Sequence, residues 1–554
     1  MMMISLLPQQ GKKMLLVLLL GLQGCSSLQE SSYVPTSPET LNEWMVEGQF
    51  VLRADGIKSK SYFYFKQLGE NYQLAVLMDD PVGAPKAVIS GNVYAPQEET
   101  LDVIGGASAK KVAEHLHAQL QAGDLSYWVR GLPATANAVI YQENLYLPES
   151  IEENGWKIAY QDYMSVQGGY RLPADMEMKS EGASLDLELV RAETGFLTSP
   201  CDQGIADDQK TDNPDGAYDY ASDDAVKRLV PEDGSAPLPL WIDEANFCKQ
   251  LAKVHNNKMP NPREGLFGPD SMMWKLDGLS APPAFGAGRA LLLQVAHPWV
   301  TAGIDQHSEV RNDPMGRARR TFYHISSMVF GSMPQAMASA NQVRDIHEEI
   351  DGEMTEEAGA FHRGSEYRAN EINAMIWVHA TLWETIVHMY EKLEDDLTPE
   401  EKNQFYEETK LFAMLFGIPE SALPKDWDAF MDYNRAMWES PQLTVTPNAM
   451  QLKEDLFDAK SIWMIAPLWG QKIITAAELP PRIRDQYDMK YGWWQKFNYG
   501  WIRGATWTAQ VLMPKSMEHH PIYHEAQARL EGERLGGYNQ WLIEAFFDKE
   551  RLVN

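Results

Sequence analysis

Two pairs of polar residues at helical spacing carry most of the chemical information in this 554-residue chain. Arg344 and His347 are three residues apart in 336–350, where Ala336, Ala340, Val343 and Ile350 recur at helical intervals. Both side chains therefore project from one helix face with apolar neighbours. Arg317 and Thr321 are four apart and share a face in the same way. His379 lies on an apolar stripe formed by Ile372, Met375, Ile376, Leu382, Trp383 and Ile386. An imidazole in such surroundings has two readings. It is a core histidine satisfied by a hydrogen bond, or it ligates haem iron through one nitrogen and donates from the other. Spacing leaves both open and favours the first. His519, His520 and His524 read as exposed loop histidines rather than a metal site. Glu348 and Glu349 flank His347 but fall on other faces of its helix, so they read as a solvated surface.

The elements that position these residues change type along the chain. Residues 43–190 read mainly as strands: Ser61–Phe65, Tyr72–Leu77, Lys157–Tyr160 and Leu185–Leu189 alternate or are rich in β-branched and aromatic residues. One helix is expected at about Ala109 to Gln121. The period-2 pattern predicts antiparallel sheet with one buried face. Residues 192–235 are crowded with Asp and Glu and poor in apolar side chains, so an acidic flexible linker is expected. From Leu238 onward the apolar period is helical. Ser461 to Ala477 is apolar but broken by Pro467, Gly470, Gln471 and Lys472, which points to a buried helix or turn rather than a membrane span.

Composition bounds the function. A net charge of −30 leaves nothing to neutralise phosphates, so nucleic acid is excluded as a partner. The apolar fraction of 44% suffices for more than one core. Lys12 and Lys13 precede the apolar run Met14 to Leu22, which is shorter than the roughly 20 residues of a membrane helix and suits a secretory signal. Leu22-Gln23-Gly24-Cys25 follows it and resembles a lipobox. That resemblance implies cleavage before Cys25 and acylation of its thiol, a stable anchor when more than one chain is attached. Ser26 and Ser27 follow where an Asp would signal inner-membrane retention. The expected location is therefore the outer membrane, lipid-anchored and facing the periplasm. With Cys25 acylated, Cys201 and Cys248 remain, and the sequence leaves a bridge between them open.

Several landmarks in 40–190 resemble the LolB family of outer-membrane lipoprotein receptors. They are Trp44 with Gly48, Pro81-Val82-Gly83, Tyr127 to Pro133, Gly155 to Tyr160, and Leu172 to Met176 ahead of a last hairpin at Gly182. The resemblance implies a half-open antiparallel β-barrel, closed by helices, that binds acyl chains or lipoproteins. Lipoproteins and a periplasmic lipoprotein carrier are then expected partners. In that family an exposed apolar residue of the Pro-x-Gly loop contacts the membrane. Val82 holds that position here, between acidic neighbours and with a smaller side chain than the usual Leu. Trp128 and Trp156 are expected in the core.

A second set of motifs resembles the MpaB and latex-clearing (rubber oxygenase) family. It comprises Phe267-Gly268-Pro269-Asp270-Ser271, Leu292 to Pro298 (with His297), His307-Ser308, Gly316 to Thr321, Val343 to His347, and Trp377 to Leu382. The resemblance implies an all-α, globin-like domain holding haem b. His347 is then the proximal iron ligand, Arg344 biases the haem charge, Arg317 and Thr321 are polar groups near the haem, and His379 lines or supports the pocket. Arg320 stands where the rubber enzymes can carry a distal lysine, and a permanently charged guanidinium is a poor iron ligand. Asp351-Gly352 replaces an Arg-His pair of those enzymes, so rubber itself is not implied as substrate. The expected reaction is haem-dependent use of dioxygen on an apolar small-molecule or lipid substrate. The alternative is a lipoprotein receptor or insertion factor with a non-catalytic helical domain. The expected organisation is a signal peptide (1–24), lipidated Cys25 and tether (25–39), LolB-like barrel (40–191), acidic linker (192–236) and oxygenase domain (237–554).

Overall fold

A computed structural model describes residues 37–41, 43–81, 84–135, 137–144, 147–166, 170–194, 201, 225–237, 240–257, 264–307, 314–458, 464–512, 514 and 517–547. Strands β1 (Glu43–Ala54), β2 (Ile57–Leu68), β3 (Asn71–Met78), β4 (Ala87–Asn92) and β5 (Ala95–Val103) come first. Helices α1 (Ala107–Gln119) and α2 (Ala122–Trp128) follow. Then come β6 (Val139–Asn144), β7 (Leu147–Glu153), β8 (Trp156–Val166), β9 (Tyr170–Lys179) and β10 (Ala183–Thr194). All ten form one sheet in the order β5-β4-β3-β2-β1-β10-β9-β8-β7-β6. Neighbours are antiparallel, and β5 and β6 are the free edges. The result is the expected curved, unclosed sheet with helices packed against β3, β4 and β5.

Local chemistry fixes this register. Asp55-Gly56 and Asn154-Gly155 both have positive φ and join paired residues Ala54 and Ile57, and Glu153 and Trp156. These are two-residue turns whose twist matches that of the strands. A bulge between Glu47 and Gly48 bends β1 against β10. A Cβ at Gly48 would lie 2.1 Å from the Glu188 carbonyl oxygen, so only glycine fits there. The inward side chains of β1, including Trp44, Val46, Phe50 and Leu52, form one core with Phe63, Phe65, Tyr72 and α1–α2. Trp128 and Trp156 belong to that core, 6.4 Å apart, as expected.

The rest of the described chain is predominantly helical. It contains α3 (Ala225–Leu229), α4 (Glu244–Asn257), α5 (Met272–Asp277), α6 (Ala281–Val295), α7 (Pro298–His307), α8 (Pro314–Val329) and α9 (Met333–Glu348). A two-stranded ribbon, β11 (Asp351–Glu353) and β12 (Glu366–Arg368), interrupts the helices. No alternation in so short a segment announces it. Then follow α10 (Ile372–Leu393), α11 (Pro399–Met414), α12 (Trp427–Glu439), α13 (Pro447–Phe457), α14 (Ile465–Glu478), α15 (Pro481–Gln486), α16 (Trp493–Leu512), α17 (Pro521–Glu531) and α18 (Gly537–Phe547). Among the described residues no helix is long and apolar enough to cross a membrane.

Helix α10 is the axis of this region and is buried on nearly every side. Glu371 caps its start by accepting from Ala374 N at 2.7 Å, and also accepts from Leu240 N at 3.1 Å. Arg289 of α6 is buried and pairs with Glu384 of α10, while its Nε donates to Glu478 O at 2.9 Å. Ordered structure reaches both ends of the acidic stretch: β10 runs to Thr194, and Arg228 of α3 donates to Ala422 O at 2.7 Å. Cys201 and Cys248 form a disulfide, with Cα atoms 5.1 Å apart. The loop after α17 touches the sheet. Arg534 meets Asp175 at 2.8 and 3.0 Å and donates to Ala174 O and Leu189 O at 2.7 and 3.1 Å. Gly532 adopts a left-handed C-cap there, and a Cβ on it would lie 2.6 Å from the Tyr62 ring and 2.7 Å from Pro81.

Candidate functional site

Arg344 and His347 line one cleft, as their shared helix face requires. Its other walls are Ile242, Phe247 of α4, Ala340 of α9, Asn370, Met375 of α10, and Phe416 beyond α11. As it stands the cleft has room for little more than one water molecule, far below the roughly 300–1,000 Å³ usual for small-molecule and cofactor sites, so any such occupant must part the walls.

Helix α9 supplies the polar side of the cleft. Its start is fixed by a capping box in which Ser332 Oγ accepts from Gln335 N and Gln335 Oε1 accepts from Ser332 N at 2.9 Å. Met333, Ala336 and Ala340 bury this first half. The second half, which carries Arg344 and His347, is open on its outer side, where Ile346 is 51% exposed. Arg344 forms an ion pair with Glu348 one turn on, lies 4.0 Å from Glu244 and Asp345, and places its guanidinium 5.3 Å from the Phe247 ring. One cation thus faces an apolar cleft with its charge balanced from outside. His347 is half-buried at the same wall.

His379 lies one helical turn beyond Met375 on α10 and is buried. Its ring is 6.4 Å from both Trp383 and Phe412, and Phe412 lies 5.2 Å from Phe416 of the cleft. Neither ring nitrogen has a hydrogen-bond partner among the described residues. Burial pushes its pKa down to about 3, so the imidazole is neutral at pH 7. Two orphaned nitrogens are costly in a core. They mark a place where a polar atom from outside the chain would be welcome.

Other expected site residues are not gathered here. Thr321 is exposed on α8 and does not line the cleft, whereas the Arg317 side chain lies outside the described residues. Cys25 and Val82 also lie outside them. Instead, α8 meets α9 through His324, whose Nδ1 is 2.7 Å from Ser339 Oγ, next to Ala340 of the cleft. The sequence signal for this contact was the position of His324 one turn after Thr321, on the same face. Phe247 and Phe416 had no signal, because they come from separate apolar segments. The reading of His519, His520 and His524 as exposed needs correction. His520 is buried, accepts from Tyr523 N at 3.2 Å as the N-cap of α17, and has its pKa pushed down to about 3 by burial. The residue before a Pro-initiated helix is a capping position, and this one packs against Phe330 at 4.9 Å. Among the described residues no cluster of three His, Cys, Asp or Glu is placed to hold a metal ion.

With this geometry established, comparison with known proteins divides the chain in two. The family model "Outer membrane lipoprotein LolB" matches residues 42–191. The family model "ER-bound oxygenase mpaB/B'/Rubber oxygenase, catalytic domain" matches residues 274–511. Outer-membrane lipoprotein LolB of Pseudomonas fluorescens is 28% identical over 158 residues, 27% of this chain and 73% of that protein. LolB of Pseudomonas putida is 26% identical over 177 residues, 31% of this chain and 82% of that protein. A solved putative outer membrane lipoprotein-sorting protein domain from Vibrio parahaemolyticus aligns over 29% of this chain and 88% of its own, with 12% identity and a TM-score of 0.20. The chain is thus a fusion of a LolB-like region with an MpaB/rubber-oxygenase-like region.

Proposed function

We propose that the chain is a haem-dependent oxygenase, held at the outer membrane by acylated Cys25, that oxidises an apolar unsaturated or lipid substrate. The LolB-like sheet would bind acyl chains or lipoproteins beside it. The observation that carries the reading is the pairing of His347 with Arg344 on the wall of one cleft, with His379, which has no hydrogen-bond partner among the described residues, a turn beyond Met375. These residues fit b-type haem in kind. His347 offers an imidazole nitrogen to iron, Arg344 a cation to a carboxylate, and Phe247, Met375 and Phe416 apolar surface to a macrocycle. Haem, when bound, supplies the activation of dioxygen for cleavage of a carbon–carbon double bond.

The chain's own residues have separable tasks. His347 binds, and its orientation is set by the α9 backbone from the Ser332 cap onward. Arg344 orients an anionic edge while Glu348 and Glu244 hold its guanidinium in place. Phe247, Met375 and Phe416 exclude water, which strengthens every polar contact inside. His379, neutral and without a partner among the described residues, donates or accepts one hydrogen bond at the inner wall. Because the opening half of α9 is its weakly packed half, the cleft widens there first.

Oxygen uptake tests the reaction. The processed protein, expressed with a haem supply, is expected to consume dioxygen with unsaturated acyl chains or short polyisoprenoids and to release carbonyl products. Saturated analogues should give none. Haem-loaded protein that consumes no dioxygen with any of these would remove the oxygenase reading and leave a lipid- or lipoprotein-binding protein.

A further inference from the structure

The aromatic helix α16 faces outward. Trp493, Trp494, Phe497, Trp501, Trp507 and Val511 are all exposed, Trp493 by 78% and Trp501 by 64%. Trp493, Phe497 and Trp501 follow one another at steps of four and so form a single row. The opposite face holds the helix to the body. Tyr499 donates to Glu478, Arg503 donates to Lys392 O at 3.2 Å, and Gln510 donates to Glu394. An ordinary surface helix turns its apolar stripe toward the core, and this one does the reverse. Ile465 and Trp469 of the adjoining α14 are exposed too, and a methyl on the next residue, Gly470, would lie 4.0 Å from Ile502. The patch therefore spans two neighbouring helices.

Charge and composition indicate what covers it. Residues 493–517 contain Lys496, Arg503 and Lys515 and no acidic residue, within a chain of net charge −30. Tryptophan combines a large apolar ring with one N–H donor and gathers where hydrocarbon meets polar headgroups. The charged side chains of α16 are Lys496 and Arg503, both cations, which complement an anionic headgroup layer. The helix is too polar to span a bilayer, as Gln495, Asn498, Thr506 and Gln510 break its apolar run. We propose that the outward face of α16, with Ile465 and Trp469, is an interfacial docking surface for an anionic lipid bilayer, lying in the headgroup plane with its aromatic row inserted. It would give the helical region a membrane contact of its own, independent of the Cys25 anchor and of haem.

The test uses residues 26–554, the processed sequence without its acylatable cysteine. The probes are vesicles of phosphatidylethanolamine with phosphatidylglycerol, and vesicles of phosphatidylcholine alone. The protein is expected to float with the anionic vesicles and less with the neutral ones. Replacing the row by Trp493→Ser, Phe497→Ser and Trp501→Ser together should lower the bound fraction by about tenfold or more, since interfacial binding scales with inserted apolar area. Lys496→Glu should lower it on anionic vesicles only. Tyr94→Ser, an equally exposed aromatic in the turn between β4 and β5, should change nothing. Equal flotation of the wild type and the triple variant would overturn the proposal. So would absence of flotation accompanied by a dimer that the triple variant dissolves, because the face would then bind a second copy.

Discussion

Neither ring nitrogen of His379 has a hydrogen-bond partner among the described residues. A buried neutral imidazole with two orphaned nitrogens contributes nothing to folding that an apolar residue would not. His379→Leu is therefore expected to leave the thermal midpoint at pH 7 unchanged or raised, while abolishing any activity that needs a hydrogen bond at the inner wall. The pH dependence follows from the same burial. Unfolded histidine binds a proton near 6.5, whereas His379, His297 and His520 are pushed down to about 3 in the folded protein. The unfolded state thus binds more protons between these values, and stability falls as pH drops from 6.5 toward 3. Each group contributes up to about 1.4 kcal/mol per pH unit. Buried Asp277, pushed up to about 7, acts oppositely: its folded form keeps a proton that the unfolded chain releases, so it lowers stability as pH rises from about 4 to about 7. Three histidines outweigh one aspartate, so the melting curve should fall on acidification, and His379→Leu should make that fall shallower. A steeper fall in the variant would contradict the burial argument. The helical spacing of Arg344 and His347 was sufficient to place them on one wall. The orphaned state of His379 was not legible, because it depends on what the other helices fail to offer.

At the scale of elements, period and turn chemistry carried the sheet. Asp55-Gly56 and Asn154-Gly155 announce their hairpins, and the strand segments 61–65, 72–77, 157–160 and 185–189 fall within β2, β3, β8 and β10. The helix expected at about 109–121 is observed at Ala107–Gln119. What the pattern could not reveal was which helices meet. Arg289 lies in an apolar helix, where a lone charge looks like a surface residue. Only the packing of α6 against α10 and α14 brings it to Glu384 and to the Glu478 carbonyl. Removing one partner of such a buried pair leaves the other charge uncompensated. Arg289→Ala should cost about 3–5 kcal/mol, seen as loss of the helical unfolding transition, and the double variant with Glu384→Leu should recover part of it. A loss below about 1 kcal/mol would mean that water reaches the pair.

For the whole molecule, the question is how two regions of different ancestry are held. The Cys201–Cys248 disulfide ties the acidic stretch to α4, and the loop at Gly532–Arg534 rests on β9 and β10. The acidic composition of 192–236 predicts a flexible linker and gives no hint of this contact, because partners 345 residues apart leave no local signature. Arg534→Ala combined with Gln49→Ala, which also removes the Gln49 Nε2 donation to Gly532 O at 3.2 Å, should release this contact. Small-angle scattering is expected to show a larger radius of gyration for the variant with an unchanged helical circular dichroism spectrum. An unchanged radius would mean that other contacts set the arrangement. The loop also brings Gly532 against Tyr62 and Pro81.

The central claim is that the cleft beneath α9 receives haem through His347, and an absorption spectrum tests it most directly. The processed protein is expressed with haem supply and compared with His347→Ala and His379→Leu. The account predicts a Soret band in the wild type, its loss or displacement in His347→Ala, and its retention in His379→Leu with reduced oxygen consumption. A folded protein that remains colourless and does not take up added haemin, or one whose band is unchanged by His347→Ala, would contradict it.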